Sequence, residues 1–286
     1  MMTWRNIDLA LVGAGLILVG ASSGCGKLVS GANIVPTVEY KADAAAAPTE
    51  TAASSTEAAE APAEGGVGTL KGRVIYDGAF SPLPVLFAKG AATKDPSVCG
   101  AEAIPDERII VNDGGLANVF VYLEKSPKGA KVAPPEGNAI FDQKTCIFLP
   151  HAMVLRTKQT VMVLNDDDAA HNTHTYPKKS SPFNSVVPPK DRQGVPLKYD
   201  QVEKEPLSVG CDIHPWMQAY HLPLDHPFAA VSSGDGTFEI KDLPAGKHEF
   251  KVWHEVGKMI EKSYVVTIKP GDNEVTIKVS PSKLEK

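Results

Sequence analysis

The amino-acid sequence predicts an all-β protein, and three observations carry that expectation. Short runs rich in β-branched and aromatic residues recur from Gly68 to Val279. Turn pairs such as Asp77-Gly78, Asp113-Gly114 and Asp235-Gly236 punctuate them. No helical periodicity of three turns or more is present after Gly66.

Taken in order, the first expected strand runs from Gly68 to Tyr76 and ends in the Asp77-Gly78 turn. The stretch Ala117 to Leu123 follows Asp113-Gly114-Gly115 and has the composition of a strand buried on both faces. Ile147 to Leu155 and Thr160 to Leu164 read as two more. Near the C-terminus, Thr237 to Ile240, His248 to Trp253 and Glu274 to Val279 alternate with period two. They follow the turn signals Asp235-Gly236, Pro244-Ala245-Gly246 and Pro270 to Asn273, the pattern of antiparallel sandwiches.

At 286 residues and a net charge of −5, without clusters of Lys and Arg, the chain lacks the concentrated positive charge that nucleic-acid binding needs. No G-x-S-x-G elbow, H-E-x-x-H helix or phosphate-cradling glycine loop supports hydrolase chemistry, so no enzyme is expected.

The N-terminus is ordered as an export signal: Arg5, an apolar run from Leu9 to Val19, then small residues up to Cys25. The run is short for a spanning helix, which needs about 20 apolar residues. Ala21-Ser22-Ser23-Gly24-Cys25 resembles a bacterial lipobox, with Ser22 standing where leucine is usual. The resemblance implies a lipid-modified Cys25 that anchors the protein to a membrane. An uncleaved anchor and a plainly cleaved signal are the other readings, and all three place the protein in the periplasm or cell envelope.

Residues 1–25 are thus the targeting segment. Residues 26–67, dominated by Ala, Thr, Ser, Pro and Glu, are too poor in large apolar side chains to fold and read as a flexible tether. Cysteine parity follows from this order. With Cys25 lipidated, the exported part holds Cys99, Cys146 and Cys211, and only Cys211 stands beside histidine and methionine. Cys99 and Cys146 form a candidate disulfide, two buried free thiols being the alternative.

The stretch Cys211-Asp212-Ile213-His214-Pro215-Trp216-Met217 puts a thiolate, an imidazole and a thioether within seven positions. Soft sulfur donors and imidazole favour copper. Two resemblances organise the folded part. Gly68 to Gly78, Leu116 to Leu123, and Asp235 to Gly246 with its G-x-F-x-I strand and L-P-A-G turn resemble the transthyretin-like or carboxypeptidase-regulatory-like β-sandwich. That module would take residues 68–136 and 229–282.

Residues 137–228, either inserted into it or abutting it, resemble the cupredoxins, and within them the amicyanins. Phe148-Leu149-Pro150, His171-Asn172-Thr173-His174 and the C-x2-H-x2-M spacing from Cys211 to Met217 carry the resemblance. It implies a Greek-key sandwich with one type 1 copper ion held by His171, Cys211, His214 and Met217. By the same resemblance, Asn172 hydrogen-bonds to the cysteine loop, and Pro215 and Trp216 surround His214. The exposed imidazole edge of His214 would be where a redox protein docks.

The expected function is therefore single-electron transfer by an exported blue-copper protein. A non-redox binding or structural lipoprotein, and a copper storage or delivery protein, are the alternatives. His174 is a second candidate for the upstream ligand, and His171, His174, Cys211 and His214 would form a zinc set. His221 and His226 are candidates for a second, weaker copper contact. Asp166-Asp167-Asp168 lacks the oxygen spacing of a calcium loop and is expected to be a solvated turn.

Overall fold

In the computed structural model, which describes residues 65–285, the chain begins with β1 (Val67–Tyr76), a one-turn helix α1 (Pro96–Cys99), β2 (Val111–Asn112), β3 (Gly115–Leu116) and β4 (Phe120–Leu123). It continues with β5 (Ala139–Lys144), β6 (Ile147–Leu149), β7 (Ala152–Arg156), β8 (Val161–Val163) and β9 (His171–Thr175). Then come β10 (Asn184–Val187), β11 (Val195–Leu197), β12 (Leu207–Gly210) and β13 (Gln218–Leu224). The last strands are β14 (Ala229–Val231), β15 (Thr237–Pro244), β16 (Gly246–His254), β17 (Lys258–Ile268) and β18 (Gly271–Val279). The expected targeting segment, Cys25 and all but the end of the expected tether lie outside the described residues.

Four sheets result. β1 pairs in parallel with β18 and antiparallel with β15 and β3, and β2 extends the sheet from β3. The second sheet has the order β14-β4-β16-β17. Alternation turns Leu70 and Val74 of the first sheet toward Val121, Phe250 and Val252 of the second, all 0 % exposed. Each such side chain contributes about 2 kcal/mol of burial. The Asp235-Gly236 turn closes against this pair of sheets at a point where only glycine fits. Gly236 has φ +83°, and a Cβ there would lie 2.3 Å from the Val74 carbonyl oxygen.

The chain leaves this sandwich after β4 and returns at β14. In between it builds the third sheet, β10-β9-β12-β13-β7, and the fourth, β11-β8-β5-β6. Their shared core contains Phe141, Phe148, Leu155, Val163, Val209 and Ala219. β4 is buried on both faces, as its apolar run predicts. Val121 and Leu123 enter the first core, whereas Phe120 and Tyr122 pack with Leu222, Leu224 and Trp253 in a cluster that joins the two sandwiches.

One local expectation changes, and two strands appear where none was expected. Ile147 to Leu155 is not one strand: it breaks at the cis Leu149-Pro150 bond, and β6 and β7 join different sheets. Proline has no N–H to continue a ladder. The Pro-rich stretch 182–196, which carried no strand signal, contains β10 and begins β11; both are edge strands, where proline is tolerated.

Between β1 and β2 a long strap crosses onto the second sandwich. An antiparallel bridge between Phe87 and Ile104 and the bond from Gly90 N to Gly100 O shape it. A disulfide joins Cys99 of the strap to Cys146, across a sequence separation of 47. Closing a loop of that size contributes about 4 kcal/mol in the chain-entropy description.

Candidate metal centre

β9 and β12 are antiparallel neighbours, with Gly210 opposite His174. That register sets Cys211, just past the end of β12, alongside the first half of β9. The turn from Cys211 to Met217 then leads into β13. It closes tightly, with Met217 N donating to His214 O (2.9 Å) and Cys211 N donating to Met217 O (3.3 Å). Along β9, His171, Thr173 and Thr175 point inward and are 0 % exposed.

Three donor atoms converge here. His171 Nδ1 and His214 Nδ1 are 2.9 Å apart, and Cys211 Sγ lies 3.8 Å from His214 Nδ1. All three lie within 4.8 Å of one another, in buried positions. Each histidine turns its other nitrogen to a carboxylate: His171 Nε2–H donates to Asp167 Oδ2 and His214 Nε2–H to Asp95 Oδ2, both at 2.8 Å. Such bonds fix the ring and leave Nδ1 free for an ion. Met217, at the end of the same turn, is buried in the core that contains Cys211.

Asn172 organises the turn. Its Oδ1 accepts from Asp212 N (2.7 Å), Ile213 N (3.3 Å) and Cys211 Sγ (3.3 Å), while its Nδ2 donates to Asn184 Oδ1 and Asp212 Oδ2. His214 N also donates to Cys211 Sγ (3.3 Å). Burial alone would raise the Cys211 thiol, but the hydrogen bonds from His171, His214 and the backbone outweigh it and bring the thiol down to about 6. Burial likewise opposes protonation of His171, yet Asp167 and Cys211 together raise it. The surroundings thus lower the Cys211 thiol and raise the His171 imidazole. Sulfur and two imidazole nitrogens are a donor set that fits copper.

The structure corrects several expectations. His214 does not present an imidazole edge to solvent. It is 0 % exposed, with Asp95 over Nε2 and Trp216 beside the ring at a centroid distance of 5.2 Å. Trp216 is covered in turn by Phe87 of the strap (5.0 Å) and donates from Nε1 to Cys146 O, whereas Pro215 is exposed. Asp167 is not part of a solvated turn: it is 6 % exposed and accepts from Thr145 N (2.6 Å) and Cys146 N (2.8 Å) besides His171.

His174 points away from the centre and contacts Asp212, because β9 alternates; it joins neither the copper nor the zinc set. His221 is wedged between Phe141 and Tyr199, whose hydroxyl donates to Nδ1, and burial lowers it to about 3. His226 packs on Phe228. Neither joins a group of potential metal ligands among the described residues.

Two participants carried weak sequence signals or none. Asp167 lies four residues before His171 inside an acidic run that resembles a surface turn. Asp95 lies 119 residues from His214, in a segment without periodicity. It adopts a left-handed conformation, φ 44° and ψ 52°, at the start of α1, which aspartate tolerates better than most residues.

A second polar cluster lies beside the centre. His151, 8 % exposed, donates from Nε2 to Glu255 Oε1 (2.5 Å), and Glu107 Oε2 lies 3.6 Å from its Nδ1. Burial opposes the charged ring, but the two carboxylates prevail and raise it from 6.5 to about 9. A raised imidazole stabilises the fold fully below its unfolded value and ceases to do so as pH rises through the folded value. The stability advantage of the wild-type protein over His151→Phe should therefore shrink by about 3 kcal/mol between pH 6.5 and about 9, measured by urea unfolding. A pH-independent gap would show that the two carboxylates do not hold the ring charged.

No protein-family model and no curated protein sequence matches the chain. Several solved structures are similar to part of it. A copper-containing nitrite reductase from Thermus scotoductus is 17% identical over 35% of this chain, with a TM-score of 0.28; the chain spans 25% of that protein's length. A reduced amicyanin variant is 15% identical over 37% of this chain and 99% of its own, with a TM-score of 0.27. A purple cupredoxin from Nitrosopumilus maritimus is 17% identical over 30% of this chain and 100% of its own, with a TM-score of 0.26. These similarities cover about a third of the chain and lend nothing to the transthyretin-like resemblance of the rest.

Proposed function

We propose that this protein carries single electrons through one copper ion held by His171, Cys211 and His214, with Met217 as a weak fourth ligand. The observation that carries the reading is the convergence of three buried donor atoms within 4.8 Å, both histidines being anchored through their far nitrogens by carboxylates. Copper would supply a one-electron couple there. The chain's own part is rigidity: the Asn172 bonds hold the turn, Asp95 and Asp167 hold the rings, and the packed core excludes water, so that little moves when the charge changes. On this reading the protein is a carrier and not a catalyst. A redox partner would approach His214 through the strap that covers it, not by direct contact with the ring.

The test is optical. The full chain loaded with Cu(II) should turn intensely blue from thiolate-to-copper charge transfer. Cys211→Ser should abolish the band, and Met217→Leu should keep it while shifting the reduction potential. A colourless Cu(II)-loaded protein would overturn the electron-carrier reading. The seal over His214 favours a second reading, in which the protein stores or delivers copper. Slow electron exchange combined with ready transfer of the ion to an acceptor chelator would select it.

The order of residues 1–25 supports export to the cell envelope with a lipid on Cys25 as membrane anchor. The mass of the mature N-terminal peptide tests this.

A further inference from the structure

A cavity of about 270 Å³ opens beside the metal centre, where the strap meets both sandwiches. Leu86, Ile104, Pro105, Ile147 and the indole of Trp216 form its apolar walls, and Glu107, His151 and Glu255 form its polar end. Those three ionisable residues come from the strap's exit, the β6–β7 connection and the β16–β17 turn. Nothing in the copper centre requires them.

His151 is the unusual member. It is 8 % exposed, its Nε2 is engaged by Glu255, and its Nδ1 has no hydrogen-bond partner. A buried ring nitrogen left unpaired is costly and rare, and it calls for an explanation. Glu107 Oε2 stands 3.6 Å away, beyond hydrogen-bond reach but close enough for one small group to contact both. Asp106 does not compete, because Arg108 grips both of its oxygens at 2.6 to 3.1 Å.

The chemistry of this pair selects a ligand class. A hydroxyl accepts from the Nδ1–H and donates to the carboxylate, satisfying both. An ammonium has no lone pair for Nδ1–H and would face a positive ring. A carboxylate would be repelled by Glu107 and Glu255. The walls suit a flat apolar ring against Trp216, and the volume lies just below the usual range of ligand sites, roughly 300–1,000 Å³, which suits a small molecule.

We propose that this cavity is a binding site for a small, uncharged, hydroxyl-bearing aromatic molecule, with its ring against Trp216 and its hydroxyl between His151 Nδ1 and Glu107.

The test uses the full chain free of metal, so that its outcome is separate from that of the copper reading. p-Cresol should bind saturably with one molecule per chain, measured by equilibrium dialysis, and should shift the His151 ring resonances. Its methyl ether, which keeps the ring and loses the donor, should bind about tenfold more weakly or worse. p-Toluate should not bind. Leu86→Trp, which fills the cavity from its exposed rim, should abolish binding, and Glu107→Ala should weaken it about tenfold. Both variants are checked for native dispersion of their spectra. Absence of saturable cresol binding, equal affinity for cresol and its ether, or binding that survives Leu86→Trp would overturn the proposal; the first result would leave water as the group between His151 and Glu107.

Discussion

Replacement of Asp167 by alanine is expected to destabilise the metal-free protein by about 3 kcal/mol, because it removes the acceptor of three N–H donors at once, those of Cys146 and His171 being buried. The carboxylate accepts from Thr145 N, Cys146 N and His171 Nε2 at 2.6 to 2.8 Å. Thr145 and Cys146 form the β5–β6 turn with φ of 53° and 55°, a conformation usually reserved for glycine or asparagine. Without Asp167 nothing offsets that strain, and Cys146, which anchors the strap through its disulfide, loses its place. His171 would also be free to turn, so metal affinity should fall by about 10- to 100-fold. Asp167→Asn should be milder, since the amide oxygen still accepts while its NH2 confronts a donor. Urea unfolding and competition with a copper chelator measure the two effects. A loss of stability below about 1 kcal/mol for the alanine variant would show that solvent replaces the carboxylate.

That a residue so central resembled a surface turn in the sequence shows where local pattern ends. Strand order was legible because period-two alternation is a local consequence of one buried face: Leu70 and Val74, or Phe250 and Val252, announce their side of a sheet without reference to a partner. The convergence of Cys211 and His214 was legible for a similar reason, since a short turn cannot separate them. His171 came from the amicyanin resemblance, with His174 as the alternative.

Asp95 and Asp167 are different, because what matters in them is contact with a ring brought up by tertiary packing. A charged residue in an acidic run looks solvated until the β5–β6 turn and His171 are packed against it. The burial of His214 was illegible for the same cause. Its cover comes from a segment more than a hundred positions earlier, with no periodicity to betray an element. The cis bond at Pro150 divided one apolar run between two sheets, a break that composition alone does not mark.

Asn172→Ala should destabilise the metal-free protein by about 3 kcal/mol and loosen the cysteine turn in particular. Asn172 is 3 % exposed and accepts from two backbone N–H groups and the thiol, at 2.7 to 3.3 Å, so truncation removes the acceptor of all three. The thiol should stay near 6, because Asn172 lowers it through its backbone N–H, which alanine keeps, so its alkylation at neutral pH should be unchanged if exposure is unchanged. Asn172→Asp separates shape from charge: it can accept the same N–H bonds, yet its carboxylate faces the thiolate and Asp212, which now accepts from Asn172 Nδ2 at 2.8 Å. The aspartate variant should therefore raise the thiol more than alanine does while perturbing the backbone less. Because Asp167 and Asn172 flank the same donor, His171, their effects should not add. The Asp167→Ala, Asn172→Ala double variant should lose about 1 kcal/mol less than the sum of the single losses, since each substitution alone already loosens the His171 segment, which Asp167 holds through the ring and Asn172 as its chain neighbour. Full additivity in urea unfolding would mean that the two residues support the centre independently.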